Sequence, residues 1–220
     1  MEQQYVQYGA GWEAPEGWLN FDASPSLFLE RLPMVGRLFR VNAERFPEKV
    51  HFGDIVKGLP VADGSAAGVY ASHVLEHLAY EDFRAALRNT LKILQPGGVF
   101  RMIVPDLEGR ARTYVAALDG GDHNAGSAFM RSTLLGREKR PRGIVGLIRG
   151  GLGNSEHLWM WDFPSVSKAL GDAGFVDIRR CSLGDSGDAA FEAVERADRF
   201  TDATLGLREV AVEARRPAAT

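Results

Sequence analysis

The segment 68–104 constrains the fold more than any other part of this 220-residue chain. The run Gly68-Val-Tyr-Ala-Ser72 is uncharged and combines small, β-branched and aromatic residues, which is typical of a buried strand. An amphipathic helix is expected over 80–94, and Pro96-Gly97-Gly98 should end it before a second apolar strand over 99–104. A strand, a helix and a strand in this order predict a unit of parallel sheet.

Three shorter strands are expected before this unit, over 5–8, 18–21 and 50–52. The first runs into the glycine turn Gly9-Ala-Gly11, where backbone N–H groups can approach a ligand closely. The other two end at Asp22 and Asp54, and acids at successive strand ends fit recognition of a ribose and an adenine. The run 9–14 also matches a dinucleotide fingerprint, but turn residues around Pro15 replace the helix which that fingerprint requires.

Strands and helices continue to alternate towards the C-terminus. Further helices are expected over 107–118, 162–174 and 188–203, and further strands over 176–183 and 207–214. The segment 119–156 is rich in glycine and basic at its centre, and we interpret it as an inserted lid. The alternation predicts an α/β fold, a doubly wound and mostly parallel seven-stranded sheet with an antiparallel edge strand, in a single domain over 1–220.

Composition narrows the classes of function. A net charge of −3 argues against a nucleic-acid binder. The single cysteine, Cys181, cannot form an internal disulfide. The N-terminus lacks the pattern of a signal peptide, and no apolar run is long enough to span a bilayer. We therefore expect a soluble, cytoplasmic protein without a membrane span.

Taken in order, these motifs resemble the class I S-adenosylmethionine-dependent methyltransferases. The motifs are the glycine turn, the two strand-end acids, the run 69–78, Leu94-Gln-Pro-Gly-Gly98 and Ala173-Gly-Phe175. The resemblance implies S-adenosyl-L-methionine as cofactor, with its methionine part at the turn, its ribose at Asp22 and its adenine at Asp54. It implies these cofactor-binding residues: Gly9, Gly11, Asp22, Asp54, Ile55 and Ser72. Two positions depart from the family, because Gln7 replaces an acid and Glu13 replaces the third glycine.

Four further runs are similar to a bacterial subgroup associated with polysaccharide biosynthesis: 17–22, 72–77, 101–106 and 157–162. Abundant alanine, arginine and glycine are typical of a high-GC, actinobacterial source. This narrower resemblance favours a sugar O-methyltransferase, such as those that methylate mycobacterial mannosides. The acceptor is then a small molecule or oligosaccharide.

A sugar hydroxyl is a poor nucleophile, so its methylation needs a general base or a metal ion. The candidates for catalysis are His157, His73, Asp106 and His123. His73 leaves the fourth strand beside the expected methyl group, and His157 stands next to Trp159 and Trp161, whose faces suit the apolar faces of a sugar.

Each candidate also has a structural interpretation. His73 and His77 can cap the following helix, Asp106 can cap the next one, His157 can anchor the lid, and His123 can face solvent. Glu76 and His77 are interpreted as supports at the start of a helix. A divalent ion such as Mg²⁺ is possible, but the spacing of the acids and histidines matches no known metal motif, so no metal is assigned.

The leading prediction is therefore methylation of a saccharide hydroxyl by in-line transfer, assisted by a histidine or aspartate base. One alternative is a methyltransferase for a lipid or polyketide-type acceptor. Another is a non-catalytic cofactor-binding protein of the same fold, and a nicotinamide oxidoreductase comes last. A homodimer is compatible with the sequence.

Overall fold

The computed structural model describes residues 3–32, 44–138 and 156–219. Nine strands are found: β1 (Gln4–Tyr8), β2 (Trp18–Asp22), β3 (Val50–Phe52), β4 (Ala66–Ser72), β5 (Leu94–Val104), β6 (Val176–Arg180), β7 (Thr201–Asp202), β8 (Leu207–Arg208) and β9 (Val210–Arg215). Seven of them form one sheet in the order β3-β2-β1-β4-β5-β9-β6, and β7 pairs with β8 in a separate hairpin. The expected α/β sheet of seven strands is confirmed.

The sheet is parallel from β3 to β5. Strand β9 runs antiparallel to both β5 and β6, so the antiparallel strand lies one position in from the edge. Consecutive strands run outwards from β1 to β3, and the chain then returns to place β4 on the other side of β1. This reversal creates a crevice between β1 and β4 at their carboxyl ends, which is where open α/β sheets bind ligands.

Within the described ranges, five helices accompany the sheet: α1 (Pro25–Glu30), α2 (Tyr80–Ile93), α3 (Leu107–Asp119), α4 (Ala125–Ser132) and α5 (Phe163–Ala173). Helix α5 begins with a capping box between Asp162 and Ser165 and ends at Gly174, which is in the left-handed conformation. Helix α2 ends at Ile93, so the expected stop at 96–98 lies inside the first residues of β5. None of the helices in the described ranges is long and apolar enough to cross a bilayer.

The helix expected over 188–203 is wrong. This segment forms two short 3₁₀ turns, Ala189–Ala193 and Ala197–Arg199, and then β7. Tertiary contacts override the helical pattern, because Phe191 is fully buried and the Glu195 carboxylate pairs with the guanidinium of Arg101 at 2.6 Å. The strand expected over 207–214 is likewise split at Glu209, whose side chain turns away to bind Arg110.

Both faces of the sheet are buried, as a doubly wound fold requires. Alternate residues of one strand enter different clusters: Val6 and Tyr8 pack with α2 and α5, whereas Tyr5 packs with Trp18 and Phe191 on the opposite face. The lid expected over 119–156 contains α4 in its described part. Its most basic residues, Lys139, Arg140, Arg142 and Arg149, lie outside the described residues.

Candidate active site

The first cavity, of about 530 Å³, opens at the carboxyl ends of β1 to β4. Five of the six residues that the sequence assigns to the cofactor line it. They are Gly9, Gly11, Asp22, Asp54 and Ile55. Ser72 is not among its lining residues; its hydroxyl group is buried and has no hydrogen-bond partner in the described part of the chain. We call this space the cofactor cavity.

The glycine turn needs glycine for two reasons. Gly9 and Gly11 have φ angles of 69° and 56°, a region that side chains disfavour. A Cβ atom at Gly9 would also lie 2.0 Å from Cγ2 of Val74, so the chain after β4 packs directly on the turn. A Cβ atom at Gly11 meets nothing within 4 Å. The turn therefore offers an open backbone surface to a ligand.

The strand-end acids hold the walls of the cofactor cavity. One carboxylate oxygen of Asp22 accepts a hydrogen bond from the backbone N–H of Gly11 at 2.9 Å, and the other accepts one from the backbone N–H of Ser24 at 2.7 Å. Asp54 accepts from the backbone N–H of Val56 at 3.0 Å. Each acid therefore fixes its own loop while it faces the cavity.

The two departures from the family pattern have different surroundings. Gln7 is buried in β1, and its side-chain oxygen has no hydrogen-bond partner among the described residues. Glu13 forms ion pairs with Arg196 at 3.0 Å and with Arg199 at 3.7 Å. The residue that replaces the third glycine thus ties the glycine turn to the segment 196–199.

A second cavity, of about 650 Å³, adjoins the first, and His73 lines both. Its walls come from the end of β5, from α3 and α4, from His157 and from the segment 198–209. Most of its lining side chains are polar, and the apolar ones include Ala128, Leu134 and Leu205. We call it the acceptor cavity, because a group bound there would meet a ligand of the cofactor cavity at His73.

Arg110 organises the acceptor cavity. Its guanidinium is buried and binds both carboxylate oxygens of Glu209, at 3.0 and 3.1 Å, and one of Asp202 at 2.9 Å. It also donates to the backbone carbonyl of Ser132 at the end of α4. A single bidentate arginine thereby joins α3, α4 and the β7–β8 hairpin.

His73 stands at the junction of the two cavities in a strained conformation, with φ at 55°. Its Nε2 atom lies 3.0 Å from the backbone carbonyl oxygen of Arg199, so this nitrogen carries a proton. Its Nδ1 atom lies 3.4 Å from Oε1 of Glu76. Burial by itself lowers the pKa of His73, but the Glu76 carboxylate and the Arg199 carbonyl outweigh it, and the net pKa is raised.

Glu76 is the unexpected centre of the site. It is 0% exposed, and neither carboxylate oxygen has a hydrogen-bond partner among the described residues. Glu76, His77 and His157 each offer one potential ligand atom, and these atoms lie within 4.8 Å of one another. Glu76 and His77 belong to the 3₁₀ turn Leu75–His77 just before α2, as expected for supports at a helix start, and this turn also places them beside His157.

His157 is buried beside His77, with 5.1 Å between the ring centroids. Its Nδ1 atom has no hydrogen-bond partner in the described ranges. Burial is the main cause of a lowered pKa for His157, partly opposed by the charge of Glu76. The ring is therefore neutral near pH 7, with a free lone pair.

The other two predicted catalytic residues, Asp106 and His123, lie outside the two cavities. The Asp106 carboxylate caps α3 by accepting from the backbone N–H groups of Glu108 and Gly109 at 3.0 and 3.2 Å. His123 is exposed just before α4. Neither residue lines the two cavities.

The aromatic platform that the sequence suggested beside His157 is wrong. Trp161 is in the core, stacked on Phe83 with 4.0 Å between ring centroids, and Trp159 packs against Tyr80 at the surface. Neither tryptophan lines the acceptor cavity.

Sequence reasoning also missed Arg110. An arginine on a helix is ordinarily solvated, and the partner acids, Asp202 and Glu209, are remote in sequence. The sequence offered one signal, the adjacent charges Arg208 and Glu209 in the expected last strand.

Comparison with known proteins agrees with this geometry. Residues 34–102 match the family described as a methyltransferase domain. No curated protein matches the sequence.

Two solved structures share the fold with TM-scores of 0.50. One is a methyltransferase of Thermotoga maritima, described as a possible histamine N-methyltransferase, with 13% identity over 98% of this chain and 83% of that one. The other is the CurJ carbon methyltransferase, with 12% identity over 99% of this chain; the present chain spans about half of its length, 49%. Residues 34–102 thus resemble a methyltransferase domain, and the chain shares the fold of these two methyltransferases.

Proposed function

We propose that this chain is an S-adenosylmethionine-dependent methyltransferase and that it methylates a hydroxyl group of a saccharide bound in the acceptor cavity. The observation that carries the proposal is the junction at His73, where the cofactor cavity and a second cavity with both polar and apolar walls share one wall. A methyl donor and its acceptor must meet in line, and two cavities that adjoin at one residue supply such an approach.

The cofactor cavity fits S-adenosylmethionine. Its residues are a glycine turn with free backbone surface, an acid at the end of β2 and an acid at the end of β3. In the proposed assignment, Gly9 and Gly11 face the methionine part, Asp22 the ribose, and Asp54 with Ile55 the adenine. When bound, the cofactor supplies an electrophilic methyl group on its sulfonium.

The acceptor cavity supports a hydroxyl-rich ligand. Arg131, Ser132, Thr201 and Thr204 are donors on its walls, and Asp198 adds an acceptor. Apolar residues such as Leu134 lie among them, and a sugar presents both hydroxyl groups and apolar faces.

Two of the four predicted catalytic residues line this cavity, His73 and His157. His73 is a poor base, because one ring nitrogen is bound to a carbonyl and its raised pKa favours the protonated ring. His157 is neutral with a free Nδ1 lone pair, which can take the hydroxyl proton as the oxygen attacks. We assign His157 the direct role and His73 the positioning of donor against acceptor.

The proposal is tested by incubating the protein with methyl-labelled S-adenosylmethionine and a panel of saccharides, lipids and polyketide-type phenols. The expected result is labelled saccharide together with an equal amount of S-adenosylhomocysteine. Label only in a lipid or phenol would favour the alternative acceptor class. Cofactor binding without turnover on any of the panel would support a non-catalytic protein and contradict the proposal.

A further inference from the structure

Three histidine rings, His73, His77 and His157, lie beside the buried carboxylate of Glu76. A fully buried carboxylate without hydrogen bonds is costly unless a positive charge compensates it. Neither oxygen of Glu76 has a hydrogen-bond partner in the described part of the chain, although Nδ1 of His73 lies 3.4 Å from Oε1. We propose that Glu76, His77 and His157 bind a divalent transition-metal ion of the Zn²⁺ type.

The orientation of His77 supports a metal ligand. Its Nδ1 atom lies 2.9 Å from the backbone carbonyl oxygen of Glu156, to which it donates. Its Nε2 atom lies 3.9 Å from Oε1 of Glu76 and can bind an ion when it carries no proton. Metal-binding histidines are commonly oriented by such a carbonyl on the second nitrogen.

His157 presents a second lone pair to the same point. Its Nδ1 atom is buried and has no hydrogen-bond partner in the described ranges, so the backbone of Thr133, which also contacts the ring, binds the other nitrogen. In the metal-free protein this lone pair can take the proton of the acceptor hydroxyl. A bound ion would occupy the lone pair and would instead lower the pKa of that hydroxyl.

Backbone hydrogen bonds hold the segment of Glu76 and His77 against the segment of His157. The carbonyl of Glu76 accepts hydrogen bonds from the N–H groups of Leu158 and Trp159 at 2.8 and 3.1 Å. Ligand atoms in a tetrahedral zinc site lie about 3.4 Å apart, given bonds of about 2.0–2.1 Å. The three atoms here lie within 4.8 Å of one another. Side-chain rotations that bring each atom about 1 Å closer to the others would give the spacing of a bound ion's ligands.

The ligand set selects the class of metal. Two imidazoles and one carboxylate with an open position are the donors of catalytic zinc sites. Mg²⁺ prefers oxygen ligands alone, so it fits poorly. His157 lines the acceptor cavity and His77 lines the cofactor cavity, so an ion held by both would lie between the two cavities. Only a catalytic role of the ion rests on the proposed function; metal binding itself does not.

The test is calorimetric titration of untagged, chelator-treated protein with ZnSO₄. We expect one equivalent of Zn²⁺ to bind and to raise the melting temperature, and MgCl₂ to give no comparable heat. Glu76→Gln should weaken Zn²⁺ binding at least about 100-fold, as loss of a direct ligand exceeds the effect of losing an orienting partner. His123→Ala, which alters an exposed histidine, should bind Zn²⁺ like the wild type.

The melting temperature of Glu76→Gln shows whether this variant is correctly folded. Glu76→Gln removes a buried charge, so its metal-free melting temperature should equal or exceed that of the wild type. Absence of stoichiometric Zn²⁺ binding to the wild type, or equal binding to Glu76→Gln, would overturn the site. Stoichiometric Zn²⁺ binding in a protein that fails to methylate saccharides would leave the site standing and remove only the proposed acceptor.

Discussion

The cofactor cavity and the acceptor cavity are built in different ways. The cofactor cavity is lined by residues from the first 78 positions, mainly by loops that directly follow β1, β2, β3 and β4. The acceptor cavity combines the end of β5, α3, α4, His157 and the segment 198–209. The first is a property of local turns at strand ends, whereas the second exists only after remote segments have packed.

The forces that maintain the cavities differ as well. Backbone conformation shapes the cofactor cavity, through positive φ angles at Gly9 and Gly11 and through acids that bind backbone N–H groups. Buried ion pairs shape the acceptor cavity, above all those of Arg110. Substitutions should therefore separate the two: the glycine turn controls cofactor affinity, and the arginine cluster controls stability and acceptor binding.

The largest effect is expected for Arg110→Met. Removal of the guanidinium leaves the carboxylate of Glu209 buried without its partner, which costs about 3–5 kcal/mol of unfolding free energy. Urea denaturation measures this loss. The matched control is Arg112→Met on the same helix, whose exposed pair with Glu108 is worth about 0.5 kcal/mol or less.

If Arg110→Met were as stable as Arg112→Met, ion pairs would not hold the acceptor cavity together. Protein that stays folded should still bind S-adenosylhomocysteine normally, because Arg110 does not line the cofactor cavity.

The next effect is on cofactor affinity. Gly9→Ala places a Cβ atom 2.0 Å from Val74, so the glycine turn must move, and we expect about a 100-fold loss of S-adenosylhomocysteine affinity, or about 2.7 kcal/mol. Calorimetry measures it. Gly17→Ala is the control, since Gly17 also has a positive φ angle but nothing lies within 4 Å of its Cβ position.

A companion variant sharpens this result. Val74→Ala removes the methyl group that would clash, so adding it to Gly9→Ala should recover part of the lost affinity. No recovery would mean that backbone strain at Gly9, rather than the packing of Val74, shapes the turn.

A smaller effect is expected for Asp22→Asn. The amide keeps the shape of the side chain but cannot accept from both Gly11 and Ser24 as a carboxylate does, and we expect about a 10-fold weaker binding, or about 1.4 kcal/mol. The comparison variant is Asp63→Asn, which alters an exposed acid outside the cavity. Equal affinity of the two variants would remove Asp22 from the cofactor site.

The smallest effect is expected from chemical modification of the single cysteine, whose reactivity reports on the segment beside the acceptor cavity. Cys181 shares a small cavity with Phe200, Thr201 and Glu209. Burial, reinforced by nearby carboxylates, raises the pKa of its thiol to about 12. Since the thiolate is the reactive form, alkylation by iodoacetamide at pH 8 should be about a thousand-fold slower than for an ordinary exposed thiol.

The rate should rise as pH increases towards 12, and it should become ordinary in urea. Rapid alkylation of the folded protein at pH 8 would show that the segment beside the acceptor cavity opens readily.

Most of the sheet could be predicted from the sequence, because its strands are short apolar runs bounded by glycine, proline and acids. The expected strands over 5–8, 18–21 and 50–52 differ from those found by a residue at most. The segment 188–203 could not be predicted in this way. Its periodicity is that of a helix, but Glu195 is drawn to Arg101, which is almost 100 residues earlier in the chain.

The candidate site likewise contains some residues that the local sequence predicts and others that it does not. Gly9, Asp22 and Asp54 could be predicted to line a cavity because each lies at the end of a strand or within two residues of it. Glu76 was undervalued, because a glutamate near the start of a helix is ordinarily exposed and nothing local shows that this one is fully buried. The approach of His157 to His77, about 80 residues away, depends on backbone hydrogen bonds from Leu158 and Trp159 that no spacing rule contains.

The central claim is that donor and acceptor meet at His73. A crystal structure with S-adenosylhomocysteine tests it most directly. We predict that the nucleoside lies between Asp22 and Asp54 and that the sulfur atom points past His73 into the acceptor cavity. A ligand outside the cofactor cavity, or a sulfur atom turned away from His73, would contradict it.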